Sequence, residues 1–385
     1  MGHKKTMFGL SVSVFVMMLG VGTIMPLLPG KVIAFGGSES AVAYIASAFA
    51  LPYILLQVPM GAWSDRLGVK RFLIAGYLLC GASGLLYFFA DSAPSIFIGR
   101  IVQGAGEAPL WALAPALLSI LYADSKGRAM GVYNATLHVG LTLGPLLGIA
   151  LLRYGLGGFN FLFFSACCAV SAALVALLVE NRRSAGGQDV RFDLGAMKNI
   201  ASDRAVFVAF FGIMLYGAGY GLFLTTLPAF LVRAKGYSQT FVQFFFACYY
   251  LAVSLSQIVS GPLTDRYGTE KFMVSGLAAT AVLLALLPLF SSQAAALAVV
   301  LGASLGLGTF FLASMSFLNS SVPAQYKGTI SGTYYLFWGI GFFTGPVVVG
   351  RAMAVFGDNA GLAVFAAAML AESAALFCAL RRRAR

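Results

Sequence analysis

Residues 61–71 read Gly61-Ala62-Trp63-Ser64-Asp65-Arg66-Leu67-Gly68-Val69-Lys70-Arg71, and residues 261–271 read Gly261-Pro262-Leu263-Thr264-Asp265-Arg266-Tyr267-Gly268-Thr269-Glu270-Lys271. At a constant offset of 200, Gly61, Ser64-Asp65-Arg66, Gly68 and Arg71 face Gly261, Thr264-Asp265-Arg266, Gly268 and Lys271, and Gln57 faces Gln257. Close to that register, at offsets of 201 and 202, Gly140, Gly144-Pro145 and Gly148 face Gly341, Gly345-Pro346 and Gly350. Shared composition does not explain this, because Asp-Arg pairs are scarce in so apolar a chain. The two halves read as a duplicated unit, and duplicated membrane units that bind at their interface are a transporter signature.

The surroundings of the repeat place it in a bilayer. Of 385 residues 60% are apolar and only 10% charged, with a mean hydropathy of +0.89. A soluble domain carries about 25% charged residues, so a soluble enzyme, a nucleic-acid binder and a disordered chain are excluded. About 20 apolar residues cross the hydrocarbon core as a helix. Windows of that size give twelve spans, near 7–29, 41–62, 70–90, 95–121, 129–151, 159–180, 205–230, 241–263, 272–290, 296–320, 329–352 and 360–380. The polar stretch 182–204 then reads as a cytoplasmic linker between a first bundle, 1–181, and a second, 205–385. The expected fold class is an all-α membrane protein with 12 transmembrane helices in two pseudo-symmetric six-helix bundles.

Net charge is +12, which here sets orientation rather than marking a nucleic-acid partner. Nineteen of the 25 Lys and Arg fall in one set of loops and ends, five in the opposite set, and Arg100 lies inside a span. By the positive-inside rule both termini are cytoplasmic and the chain is a multi-pass protein of the inner membrane. The five cysteines (Cys80, Cys167, Cys168, Cys248 and Cys378) lie in apolar stretches without a Cys-x-x-Cys pair, and the chain has two histidines. No metal site, cofactor or catalytic triad is expected, and no nucleotide-binding loop points to ATP.

The repeated motif lies in the short turn between spans two and three, and again between eight and nine. Gly61 and Gly261 allow close helix approach, while Gly68 and Gly268 permit the tight turn. Asp65 and Asp265 suit a neighbouring helix N-terminus, where negative charge is favoured. Arg66, Lys70 and Arg71 hold the first loop inside, and Arg266 is its counterpart in the second. A contact made in one conformation alone would act as a latch; the plainer alternative is a loop that only fixes topology.

These residues resemble the Gly-x-x-x-Asp-Arg-x-Gly-x-x-Arg/Lys signature of the major facilitator superfamily. Leu19-Gly20, Pro26 and Pro29 resemble the Leu-Gly-x5-Pro-x-x-Pro pattern of its twelve-helix drug:proton antiporters. Arg100, Gln103, Gly104 and Gly106 are similar to the family's Arg-x-x-Gln-Gly-x-Gly motif, and the resemblance implies proton coupling for the arginine. Gly140, Gly144, Pro145 and Gly148 resemble the antiporter motif of span five, with Ile149 in place of its last glycine. A monomer that exchanges protons for a small organic substrate is what this likeness implies.

Two carboxylates lie deep in the spans, Glu107 and Glu372. Such groups are expensive in a bilayer, and each is a functional candidate. Glu107 follows Arg100 by two helical turns, roughly 10 Å along one face, with Gln103 and Trp111 on the same stripe. Water or a second helix is expected to bridge that distance. Glu107 is the candidate proton carrier and Arg100 the group that sets its affinity, against a simple buried hydrogen bond. Glu372, on span twelve, reads first as structural. On span five, Asn134, His138 and Thr142 form a polar stripe apart from the glycine ridge, free to face a cavity.

The second half has no deep acid on spans seven, eight, ten or eleven, where many relatives carry one. It offers Tyr216, Tyr220, Tyr249, Asn319, Tyr334 and Trp338, a set suited to an amphipathic or cationic substrate and equally to helix packing. The function expected is proton-coupled export of amphipathic, drug-like molecules by alternating access. The alternatives are a lipid flippase, a dedicated metabolite or siderophore exporter, an uncoupled facilitator, or a membrane receptor.

Overall fold

The computed structural model describes residues 2–122, 126–181, 203–322 and 327–383. The expected linker 182–204 lies almost wholly outside them. The described residues are helical nearly throughout: α1 (Gly2–Ile24), α2 (Leu28–Ala34), α3 (Glu39–Leu67), α4 (Val69–Phe88), α5 (Ala93–Leu121), α6 (Lys126–Arg153), α7 (Asn160–Leu178), α8 (Arg204–Leu224), α9 (Thr226–Arg233), α10 (Gln239–Tyr267), α11 (Thr269–Leu286), α12 (Gln293–Ser320), α13 (Lys327–Phe356) and α14 (Asp358–Arg383). In lipid, a backbone without water must satisfy its polar groups internally, and helices do this.

Ten candidate spans among the described residues are long and apolar enough to cross a membrane. Two of the twelve expected windows are missing from that set. In α3 the run of described side chains, Ala41–Leu56, is apolar but shorter than a span. The other, α5, is 29 residues long, but it carries Arg100, Gln103 and Glu107, which depress its hydropathy. Prolines break the first span: α1 stops at Ile24, a 3-10 turn holds Pro26, and α2 restarts with Pro29 in its first turn. A proline lacks the N–H that a continuing helix needs.

Packing divides the chain into two compact units, Met1–Gln188 with Ser238–Ala247, and Asp189–Tyr237 with Cys248–Arg385. The first turns of α10 thus group with the first unit. There the Gln239 side-chain amide donates to the Pro26 carbonyl at 2.7 Å, and the amide of Gln243 lies against Gly148.

The duplication is visible in the backbone. Gly68 joins α3 to α4 with φ +88° and ψ 141°, and Gly268 joins α10 to α11 with φ +87° and ψ 145°. That region is costly for residues with a Cβ. Each glycine N–H closes the preceding helix, on Ser64 O at 2.8 Å and Thr264 O at 3.0 Å. A further pair keeps the offset: a Cβ on Gly76 would lie 2.6 Å from Gly106 O, and one on Gly276 would lie 2.8 Å from Gly306 O. In both units a small-residue contact therefore seats one helix against the next.

The glycine ridge of α6 packs on α1. Cβ atoms at Gly140 and Gly144 would each come within 2.5 Å of a backbone oxygen, of Phe15 and Leu19, and Pro145 lies against Gly22. Likewise Gly341 meets Met214 O and Gly345 meets Ala218, which places the α13 ridge on α8.

Candidate functional site

The site is built on one stripe of α5. Arg100, Gln103, Glu107 and Trp111 follow at spacings of three, four and four, so their side chains stack along one face. They form a continuous hydrogen-bonded chain. Arg100 Nη1 donates to Gln103 Oε1 at 2.9 Å, Gln103 Nε2 donates to Glu107 Oε1 at 2.9 Å, and Trp111 Nε1 donates to Glu107 Oε2 at 2.9 Å. The bridge between Arg100 and Glu107 is therefore Gln103 of the same helix, not water or a second helix. Its side-chain amide presents an acceptor to the cation and a donor to the acid.

Neighbouring helices hold the cation. Arg100 Nε donates to the Ile45 carbonyl at 3.1 Å, Nη1 lies 3.5 Å from the Met25 sulfur, and the guanidinium stacks 4.4 Å from the centre of the Phe49 ring. A guanidinium is planar and weakly hydrated, which suits such an aromatic face. Close approach of α3 depends on Gly104, where a Cβ would fall 2.1 Å from Phe49 O. From α4, the Tyr87 hydroxyl donates to Gln103 Oε1 at 2.7 Å. Its ring lies across Gly99, where a Cβ would fall 2.3 Å from Tyr87 Cε1. The Lys31 ammonium in turn donates to the Tyr87 carbonyl and lies 4.7 Å from the Phe161 ring centre.

Exposure is graded along the stripe. Arg100 is 2% exposed, Gln103 1% and Glu107 5%, while Trp111 is 36% exposed. A charged pair is thus sealed at its arginine end and open at its tryptophan end. Both groups that touch Glu107 are donors. A carboxylate accepts from both, and a carboxylic acid would keep acceptor capacity on each oxygen while adding one O–H donor.

Asn134 is exposed and His138 and Thr142 are half-buried along α6. In the second unit four of the six singled-out residues form one aromatic cluster. Tyr220 has ring contacts with Tyr216 at 6.3 Å, Tyr249 at 5.5 Å and Trp338 at 5.8 Å. Tyr334 joins through Phe311, which lies 5.7 Å from Tyr216 and 5.9 Å from Tyr334. Tyr216, Tyr249 and Tyr334 are buried, and Tyr220 and Trp338 are half-buried. Asn319 stays apart, bonded to the Met315 carbonyl of its own helix at 2.9 Å. One carboxyl oxygen of Glu372 is buried without a hydrogen-bond partner.

Of the turn motif, the structure describes the backbone at Gly68 and Gly268, an exposed Arg71, and an exposed Arg266 5.1 Å from the Tyr267 ring centre. Gly61 lies within α3 and Gly261 within α10. The side chains of Asp65, Arg66 and Asp265 lie outside the described residues. Tyr87, Phe49 and Met25 were not anticipated from sequence. The bare backbone of Gly99 is the one local sign of a ring lying there.

The family model of the Major Facilitator Superfamily matches residues 10–230 and again 209–385. The chain belongs to that superfamily. It is 24% identical over 349 residues to Multidrug resistance protein 1 of Bacillus subtilis, covering 88% of this chain and 87% of that one. To the class C tetracycline resistance protein of Escherichia coli it is 27% identical over 353 residues, covering 86% and 85%. Among solved structures it is similar to a mutant form of the nucleoside transporter NupG, with a TM-score of 0.85 at 12% identity over 97% of this chain and 99% of that one. The family and these relatives make it a non-enzymatic membrane transporter of a small molecule. The repeat of two family matches along the chain agrees with the duplication read at the glycine turns.

Proposed function

We propose that this chain is a proton-coupled antiporter that exports amphipathic organic molecules across the cytoplasmic membrane. It works as a monomer by alternating access, with 1–181 and 205–385 as the moving halves and 182–204 as their linker. Twelve spans are counted by joining α1 to α2 and α8 to α9 and by admitting α3 and α5. Both termini then lie inside, in agreement with the distribution of lysine and arginine.

The observation that carries the reading is the buried chain Arg100–Gln103–Glu107–Trp111. Ionisable groups in a bilayer mark proton or substrate pathways by default. Glu107 carries the proton. Access at the Trp111 end sets when the proton exchanges. The half-exposed Tyr220 and Trp338, with Asn134 and His138, are the surfaces offered to substrate, and the aromatic faces favour a cation. The two glycine turns, with Asp65, Arg66, Asp265 and Arg266, act as the conformational latch. The drug and tetracycline resistance relatives support export.

The test is compound susceptibility and dye accumulation in a host without its own efflux pumps, comparing wild type, Glu107→Gln and empty vector at matched expression. Protection by wild type that is lost in Glu107→Gln, together with loss of substrate-induced proton flux in vesicles, is the expected result. Protection retained by both proteins would remove Glu107 from coupling. Protection by neither would move the substrate to a lipid or a dedicated metabolite.

A further inference from the structure

We propose that the second unit carries a binding site for the phosphate headgroup of an anionic phospholipid, where α11 begins and α12 and α14 end. A cavity of about 940 Å3 opens between these helix ends. Lys271 and Ser275 of α11 line it together with Arg381 and Arg383 of α14. Three cations therefore face one space, against a single lining carboxylate, Glu270.

The cations divide into a fixed group and an unpaired pair. Arg383 is held by Asp203 through Nε at 3.3 Å, by the Ser321 hydroxyl at 3.0 Å, and by the Phe317 ring at 5.1 Å. Lys271 and Arg381 are exposed and have no anionic partner among the described residues. The α11 helix follows Gly268 without a side-chain cap and carries Glu270 in its first turn, so the attraction for an anion comes from Lys271 and Arg381 and not from the helix end.

The shared chemistry of any ligand here is a phosphate ester, and the cavity walls choose its source. Beside the basic rim lie Val274, the buried Leu380 and Phe377, which is 53% exposed. A phosphate attached to acyl chains satisfies both parts, whereas a free phosphate leaves the apolar part unfilled. Basic pockets between spanning helices on the cytoplasmic side suit anionic headgroups, each Lys or Arg strengthening the attraction. The inference does not depend on what the protein transports.

The experiment titrates the purified full chain, in mild detergent, with phosphatidylglycerol and with phosphatidylcholine, reading bound lipid by native mass spectrometry. The expected result is that the double variant Lys271→Gln/Arg381→Gln binds phosphatidylglycerol about 10- to 30-fold more weakly, with phosphatidylcholine unchanged. The control Lys4→Gln/Lys5→Gln removes the same charge from exposed positions on α1 and should bind as wild type does. Lys271→Arg/Arg381→Lys keeps the charge and should keep the binding. Equal phosphatidylglycerol affinity in wild type and the Gln variant would overturn the proposal, as would an equal fall in either control. Competition by glycerol phosphate at the affinity of the lipid would assign the cavity to a soluble phosphoester and overturn the lipid site.

Discussion

At the scale of single residues, the arrangement around Gln103 shows how a neutral amide can join an acid to a base. Its carbonyl oxygen accepts from Arg100 and Tyr87, which fixes the amide so that its nitrogen points to Glu107. Tyr87→Phe removes one of two donors while keeping the ring, and an interhelical bond of this kind in a membrane is worth about 0.6 kcal/mol. The thermal midpoint should therefore fall little, while the transport rate falls because the amide oxygen is held by Arg100 alone. Gly99→Ala drives a Cβ to 2.3 Å from that ring and should displace the hydroxyl from Gln103, lowering both stability and rate. The two substitutions act through one contact, so a double-mutant cycle should be non-additive. The double variant should transport no more slowly than Gly99→Ala alone, and additive losses in rate would show that the Tyr87 hydroxyl has no part in positioning Gln103.

At the scale of the helix, the contact between α1 and α6 makes a paired prediction. Ala at Gly144 would place a Cβ 2.5 Å from Leu19 O and 2.6 Å from the Gly22 Cα. Both are backbone atoms that cannot rotate away, so the helices must separate, at about 1–3 kcal/mol. On the same helix, Gly131 has nothing among the described residues within 4 Å of such a Cβ, and Gly131→Ala should stabilise by up to about 1 kcal/mol. Thermal midpoints in mild detergent decide it: Gly144→Ala must fall and Gly131→Ala must not. This contact was legible in the sequence because Gly140, Gly144-Pro145 and Gly148 recur at helical spacing. The Gly76–Gly106 contact and its copy Gly276–Gly306 were not. A lone glycine among 45 carries no mark of what it meets. The α5 stripe was readable residue by residue, yet its closure through Gln103 depended on the reach of an extended side chain. Tyr87 lies on another helix, and no spacing rule connects it to the stripe.

At the scale of the whole molecule, the two halves share a backbone and differ in chemistry. The Cys80 thiol lies 3.8 Å from Gln103 O, and the Thr280 hydroxyl donates to Ala303 O at 3.0 Å, the same contact 200 residues on. Yet Val300, Ala303, Leu307 and Phe311 stand where Arg100, Gln103, Glu107 and Trp111 stand in the first half. The hydrogen-bonded acid and base are therefore carried once, and the second half answers with aromatic rings. On the proposed mechanism one carboxylate exchanges a single proton per cycle, and for a monovalent cationic substrate that exchange moves no net charge. In proteoliposomes, an imposed pH gradient should drive uptake of such a dye, while a potassium diffusion potential without a pH gradient should not. Glu107→Gln should abolish the pH-driven component and leave the potential without effect. Uptake driven by an inside-positive potential alone would require a second proton carrier, with the half-buried Glu372 and His138 the groups to substitute next, whereas uptake driven by an inside-negative potential alone would mean that no proton is exchanged.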